Sequence, residues 1–244
     1  MPQTLDFRLL TSDFFLIFDC DGVLVDSEWL VARIEVETRA EFGQQISIEE
    51  YIRRYVGLST RSPEYLESLN GLPPEFRDIM RVRVERAFHE ELEAIPGVAD
   101  LLERIRHRPK AIASSSSPHE IEMMLEHVGL LHHFELHAAA PAAATPLLTS
   151  SRKGHNIYSV SMVARPKPAP DVYLFAAEQN NIAPSQCLVI EDSVVGATAA
   201  LSAGMTVWGF IGGRHQSPGA ADRLRSIGVA RIVEHMDELQ KALS

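Results

Sequence analysis

Asp19 and Asp21 stand two positions apart and are followed at once by Gly22. They close Phe14-Phe15-Leu16-Ile17-Phe18, an apolar, aromatic-rich run that reads as a buried strand. In an open parallel sheet, ligands bind at the carboxyl ends of the strands. Negative charge gathered at such an end repels itself, so the pair calls for a cation to hold or a proton to share. Cys20 lies between the two carboxylates, and strand alternation should turn its side chain away from them.

Three further polar groups occupy comparable positions. Ser114-Ser115-Ser116-Ser117-Pro118 follows the apolar Ala111-Ile112-Ala113. Arg165-Pro166-Lys167-Pro168-Ala169-Pro170-Asp171 precedes a helical pattern, and Glu191-Asp192-Ser193 follows Cys187-Leu188-Val189-Ile190. Taken singly each is ordinary: a serine loop, a rigid turn into a helix, a helix cap. Their meaning lies in their order and in their shared place at strand ends.

The elements that must position these residues fall into three parts. Residues 13–27 give a strand and an acidic loop. Residues 28–93 show helical patterns only: one helix around Trp29, Ile34 and Phe42 that stops at Gly43, one over Ile48–Val56, and a long Arg- and Glu-rich helix from Pro73-Pro74 toward Leu92. From Pro96 onward strands and helices alternate, the pattern of a doubly wound parallel sheet. Strands are expected at Ala111–Ala113, Ile157–Val160, Cys187–Ile190 and Met205–Phe210. The stretch 138–156, alanine- and proline-rich and then polar, reads as an exposed loop inserted in this core.

Bulk properties narrow the function. With 45% hydrophobic and 23% charged residues the chain has ordinary globular composition, and its 244 residues suffice for a core and a small second domain. A net charge of −10 excludes the basic footprint that nucleic acid or an anionic membrane requires. No apolar run approaches a spanning helix, and no targeting segment stands out. Cys20 and Cys187, both in or beside strands, read as small buried hydrophobes. A cytoplasmic enzyme, monomeric by default, is the expectation.

The segment D-x-D-G-V-x-x-D-S over Asp19–Ser27, with Ser114, Lys167 and Glu191-Asp192 following in order, resembles the four motifs of the haloacid dehalogenase-like superfamily, in the branch of sugar-phosphate phosphatases and β-phosphoglucomutase-like enzymes. The resemblance implies an α/β fold: a Rossmann-like core over residues 1–27 and 94–244, with an inserted helical cap over 28–93. It implies phosphate-monoester hydrolysis with Mg²⁺. Asp19 would be the nucleophile, forming an aspartyl phosphate. Asp21 would protonate the leaving alkoxide and then deprotonate water. Asp19, Asp192 and Asp21, the last through its backbone carbonyl, would hold the metal, with Glu191 beside it or its waters. Ser114, the Ser115 amide and Lys167 would grip phosphate oxygens. Arg61 matches a cap arginine that holds the distal part of substrate, and Ser27 and Glu28 fall at the first hinge.

Alternatives are separated by single residues. A β-phosphoglucomutase-like phosphomutase carries a cap-hinge histidine where this chain has Val31. A dehalogenase lacks a second aspartate matching Asp21. A phospholigand-binding regulatory protein would not need the full set. The expected partner is a small phosphorylated metabolite, a sugar or polyol phosphate. Two departures from relatives stand out: Pro166 replaces a common glycine, and the 138–156 insertion is longer than theirs.

Overall fold

The computed structural model describes residues 14–58, 60, 62–135 and 154–243. Six parallel strands form one sheet: β1 (Phe15–Phe18), β2 (Lys110–Ser114), β3 (Ile157–Ser159), β4 (Cys187–Glu191), β5 (Thr206–Phe210) and β6 (Arg231–Val233). Their spatial order is β3-β2-β1-β4-β5-β6. The direction of winding reverses beside β1, between β1 and β4, so a crevice opens at their carboxyl ends.

Strand alternation sorts the core into two apolar layers. Leu16, Phe18, Ile112, Leu188, Ile190, Trp208 and Phe210 face one, and Phe15, Ile17, Ala111, Ala113, Val189 and Val207 face the other. Both faces are covered, which is why these strands read as continuous apolar runs. Each fully buried Leu, Ile or Phe contributes about 1.5–3 kcal/mol. Cys20 joins the first layer and Cys187 the second, and both thiols are free.

Four helices follow β1 before the chain returns to the sheet layer: α1 (Ser27–Glu41), α2 (Ile48–Tyr55), α3 (Pro63–Ser68) and α4 (Phe76–Glu90). α1 packs against both α2 and α4. Ser47 and Ser62 cap α2 and α3 by accepting the backbone N–H of Glu50 and Tyr65. The chain leaves and re-enters the sheet layer by two adjacent crossings. The Asp26 amide donates to the Glu93 carbonyl at 2.9 Å, and the Ile95 amide to the Leu24 carbonyl at 3.0 Å.

The remaining helices flank the sheet: α5 (Val98–Arg104), α6 (Pro118–His127), α7 (Asp171–Gln179), α8 (Val194–Ser202), α9 (Ala220–Ser226) and α10 (Met236–Leu243). The Ser117–Glu120 capping box and Pro118 start α6 directly after the serine run. α8 begins at Ser193, whose hydroxyl accepts the Gly196 amide at 3.0 Å, and buries Gly196, Ala197, Ala199 and Ala200. Among the described residues no helix is long and apolar enough to cross a membrane.

Three expectations need correction. β6 was not anticipated, because Arg231-Ile232-Val233 is short and only Val233 is buried. α3 was missed because its six residues show no clear periodicity. The exposed-loop reading of 138–156 lies outside the described residues except at 154–156, and there it fails. His155 and Asn156 are buried. They lead into β3, where the Asn156 amide donates to Phe134 O at 2.7 Å and its side chain donates to Lys110 O at 2.9 Å. The Lys110 carbonyl and the Asn180 side-chain amide thus satisfy the side chain that made the segment look solvent-bound.

Candidate active site

Asp19 follows β1 and is held by it: its amide donates to Ile190 O on β4 at 3.0 Å. The parallel register of β1 and β4 places Phe18 beside Ile190, so the residues beyond them, Asp19 on one side and Glu191 and Asp192 on the other, converge at the switch point. Oxygens of Asp19, Glu191 and Asp192 lie within 4.8 Å of one another, and all three residues are buried.

One lysine enters this group. Lys167 Nζ stands 3.2 Å from Asp19 Oδ1 and 2.8 Å from Glu191 Oε1, and it also donates to Ala113 O at 3.1 Å. Burial alone would lower its pKa, but the carboxylates of Asp19 and Glu191 more than offset this and hold it well above the usual lysine value. The Tyr173 ring lies 4.9 Å below the ammonium.

The carboxylates differ in what surrounds them. Glu191 accepts from Lys167, from the Tyr173 hydroxyl at 3.2 Å, and from both the amide and the hydroxyl of Ser193 at 2.8 and 3.0 Å. Burial pushes its pKa up, yet these donors outweigh burial and bring it below the ordinary glutamate value. The small residue at 196 is required, since a Cβ there would fall 1.5 Å from Glu191 Oε1. Asp19 has no such shell. Among the described residues its Oδ1 accepts no hydrogen bond and has only the Lys167 ammonium at ion-pair distance, and burial, with neighbouring Glu191, Asp192 and Asp21, raises its pKa well above the usual range despite Lys167. Burial likewise raises Asp192, against the pull of His215.

Asp21 points to a different set of partners. Ser27 donates to its Oδ1 at 2.7 Å, while Ser114 and Ser116 donate to its Oδ2 at 3.1 and 2.7 Å. The β1 loop, the first turn of α1 and the end of β2 therefore meet on one carboxylate. Ser114, read from sequence as a phosphate ligand, here holds Asp21 and accepts the Ser116 amide at 3.0 Å. Ser115 is exposed at the same rim. Glu28, in the first turn of α1, faces the cluster, and burial, then Asp21, raise its pKa to about 7.

Arg61 lies outside the described residues. Sequence reasoning also missed the loop after β5. His215 is buried with Nε2 2.7 Å from Asp192 Oδ2, and Arg214 binds Asp26, reaches Glu93 at 2.7 Å and lies 4.0 Å over the Trp29 ring. A signal existed in Gly212-Gly213-Arg214-His215-Gln216, two glycines and three polar residues at a strand's carboxyl end. Ser116 and Tyr173 carried none, one being an interior member of a serine run and the other a plain helical apolar position.

The donor set is all oxygen, hard and negatively charged, and among the described residues Asp19 Oδ1 accepts no hydrogen bond, which suits a hard divalent cation such as Mg²⁺. Buried like charges of this kind need positive compensation beyond one lysine.

Residues 16–204 match the family described as haloacid dehalogenase-like hydrolase. The chain is 30% identical to a 6-phosphogluconate phosphatase of Escherichia coli (strain K12) over 207 residues, 83% of this chain and 85% of that one. It is 28% identical to a fructose-1-phosphate phosphatase of the same organism over 193 residues, 78% of this chain and 92% of the other. A solved HAD family hydrolase from Deinococcus radiodurans R1, with bound phosphate and sodium, superposes with a TM-score of 0.78 at 34% identity, covering 96% of each chain.

Proposed function

The chain belongs to the haloacid dehalogenase-like hydrolases and is a phosphoric monoester hydrolase; from that premise we propose a Mg²⁺-dependent phosphatase that acts on a small sugar or polyol phosphate through an aspartyl phosphate. The observation that carries the reading is the buried cluster of Asp19, Glu191 and Asp192 around Lys167 at the β1–β4 switch point. The phosphate-named relatives and the phosphate and sodium in the Deinococcus structure support the substrate class and the need for a cation.

Each residue has a role in this proposal. Asp19 Oδ attacks phosphorus, and the bond from phosphorus to the ester oxygen breaks. Asp21 gives its proton to the departing alkoxide. Asp21 then takes a proton from water as that water attacks the acyl phosphate, breaking the bond to Asp19 and releasing inorganic phosphate. The three serine hydroxyls on Asp21 hold it ready at the rim, and release from them lets it reach the leaving group. Lys167 spends two donors on Ala113 O and Glu191, which leaves one for a phosphoryl oxygen beside Asp19. Glu191 anchors Lys167 and is saturated by its own donors, so Asp19, Asp192 and the backbone carbonyl of Asp21 would hold the cation. The cation, when bound, neutralises carboxylate and phosphate charge and keeps Asp19 ionised as a nucleophile.

Helices α1–α4, spanning the expected cap at 28–93, would close over the phosphate and select its organic part, with Arg61 reaching the distal groups. At Val31, half-buried on α1, no ionisable group is present to control acid–base chemistry as a mutase would need. The setting we propose is the cytoplasm, where such esters occur, with the chain acting as a monomer. Purified protein with Mg²⁺ should release phosphate from a panel of sugar and polyol phosphates. No release from any member, or release that survives Asp19→Asn, overturns the proposal.

A further inference from the structure

The loop after β5 brings a histidine to Asp192 that neither the family motifs nor the catalytic cycle uses. The register of β4 and β5 pairs Glu191 with Gly209, so the chain beyond β5 runs alongside the chain beyond β4. His215 lies there, 5% exposed, with Nε2 2.7 Å from Asp192 Oδ2. At that distance the imidazole N–H donates to the carboxylate. Gln216 closes the other side: its Nε2 donates to Asp192 O at 3.2 Å and reaches Asp192 Oδ2 at 3.4 Å.

The backbone has been cleared for this ring. A Cβ on Gly22 would stand 2.6 Å from His215 Cε1 and 2.2 Å from Asp192 Oδ2, and Gly22 has φ +74°, a conformation side chains rarely adopt. A Cβ on Gly213 would stand 2.6 Å from Cε1 and 2.7 Å from Nδ1 of the same ring. Two glycines from two different loops thus admit one imidazole against one carboxylate. A histidine placed only to fill space would not need its nitrogen on the charged oxygen.

We infer that His215, seconded by Gln216, is a positioning residue for the cation site: by occupying Asp192 Oδ2 it fixes the carboxylate's rotation and leaves the other oxygen for the divalent ion. A carboxylate held by a donor on one oxygen binds metal with less rotational freedom to lose, and removal of such outer partners costs metal affinity. The inference rests on the cation-dependent reading above and specifies which residues of this chain would set that dependence.

The test is a calorimetric Mg²⁺ titration without substrate, on wild type, Asp192→Asn, His215→Met and His215→Gln, each checked for folding by circular dichroism. His215→Met, which keeps bulk and removes the donor, should weaken Mg²⁺ binding about 10–100-fold. His215→Gln, whose amide nitrogen can take the place of Nε2, should recover affinity to within about threefold. Should the methionine variant not fold, Gln216→Leu replaces it, with an expected loss of about threefold. Equal weakening in the Met and Gln variants, or wild-type affinity in both, or in Gln216→Leu where it stands in, overturns the inference while leaving the phosphatase reading intact. Wild-type protein that binds no Mg²⁺ overturns both this inference and the cation dependence.

Discussion

Two buried charge clusters, one in the helices between β1 and β2 and one at the carboxyl ends of β1 and β4, are built from similar residues and differ in their balance. In the helical cluster, Glu35 and Arg39 lie one turn apart on α1, both buried, with Arg39 Nη2 2.6 Å from Glu35 Oε1. The Tyr65 hydroxyl donates to Glu35, and Arg39 also donates to Gln44, Ser68 O and Ser68 Oγ. Phe76 and two tyrosine rings, Tyr51 and Tyr55, face the guanidinium. One charge meets one charge, and both Glu35 oxygens lie within hydrogen-bond reach of a donor. At the carboxyl ends of β1 and β4, Lys167 pairs with Asp19 and Glu191 while His215 pairs with Asp192, and among the described residues Asp19 Oδ1 accepts no hydrogen bond. The balanced cluster holds helices together, whereas the unbalanced one has charge left over for a ligand.

The comparison breaks most sharply at Asp19. In the proposed mechanism Asp19→Asn should cut the turnover rate by about 10⁴-fold, a loss typical of a missing nucleophile. In the metal-free protein it should leave the melting temperature unchanged or raise it by about 2–4 °C, because an uncompensated buried charge is removed. Phosphate release and a thermal melt check the two halves. A large loss of stability would show that Asp19 is balanced after all.

The converse holds at Arg39. Arg39→Met strands the Glu35 carboxylate and should cost about 3–5 kcal/mol in denaturant unfolding. The pair replacement Glu35→Met with Arg39→Met should recover most of that loss, since no charge is then left alone. Failure to recover would mean that the pair contributes through geometry that methionines cannot supply.

A pH series sharpens the contrast. Burial raises Glu28 from an ordinary glutamate value to about 7, so between pH about 4.5 and 7 the folded metal-free protein binds a proton that the unfolded chain does not. Stability should therefore fall as pH rises through that window, by up to about 3 kcal/mol. His215, raised by Asp192 against the opposing effect of burial, acts in the same sense at higher pH. Glu28→Gln or added Mg²⁺ should flatten the slope in urea titrations at several pH values. An unchanged slope in the Gln variant would locate the proton elsewhere.

The smallest effect is expected where the two regions join. Arg214 spans the chain crossings by binding Asp26 and Glu93 while lying over Trp29. Its side chain is 46% exposed, so solvent screens much of the attraction. Arg214→Ala should cost about 1–2 kcal/mol in thermal unfolding, from the lost ring contact and the buried Asp26 carboxylate left without its partner. No change would mean that the crossings hold by their backbone bonds alone.

Much of the core was legible in the chain because its strands are short apolar runs buried on both faces, each ending in polar residues. β1, β2, β4 and β5 carry that signature, and β6 does not, since two of its three residues are only half-buried. Of the cluster at the switch point, Asp19, Lys167, Glu191 and Asp192 are legible from their order along the chain. Tyr173, Ser116 and His215 are not, because their types and neighbours are ordinary until the fold brings them to a carboxylate. Asn156 misled for the related reason that a polar side chain looks solvent-bound when its partners, Lys110 O and Asn180, lie far away in sequence.

By itself the sequence determined the parallel α/β core, the helical stretch between its first two strands, and the identity of the acidic and basic residues at the strand ends, because each is written in local pattern and composition. The tertiary structure alone decided which carboxylate is saturated and which is left open. That depends on donors arriving from four different strand ends. Glu191 gathers Lys167, Tyr173 and Ser193, Asp21 gathers three serines, and Asp19 gathers one lysine at ion-pair distance. Hydrogen bonds act over about 3 Å whatever the separation along the chain, so the division of labour among carboxylates of one type was settled only in the folded molecule.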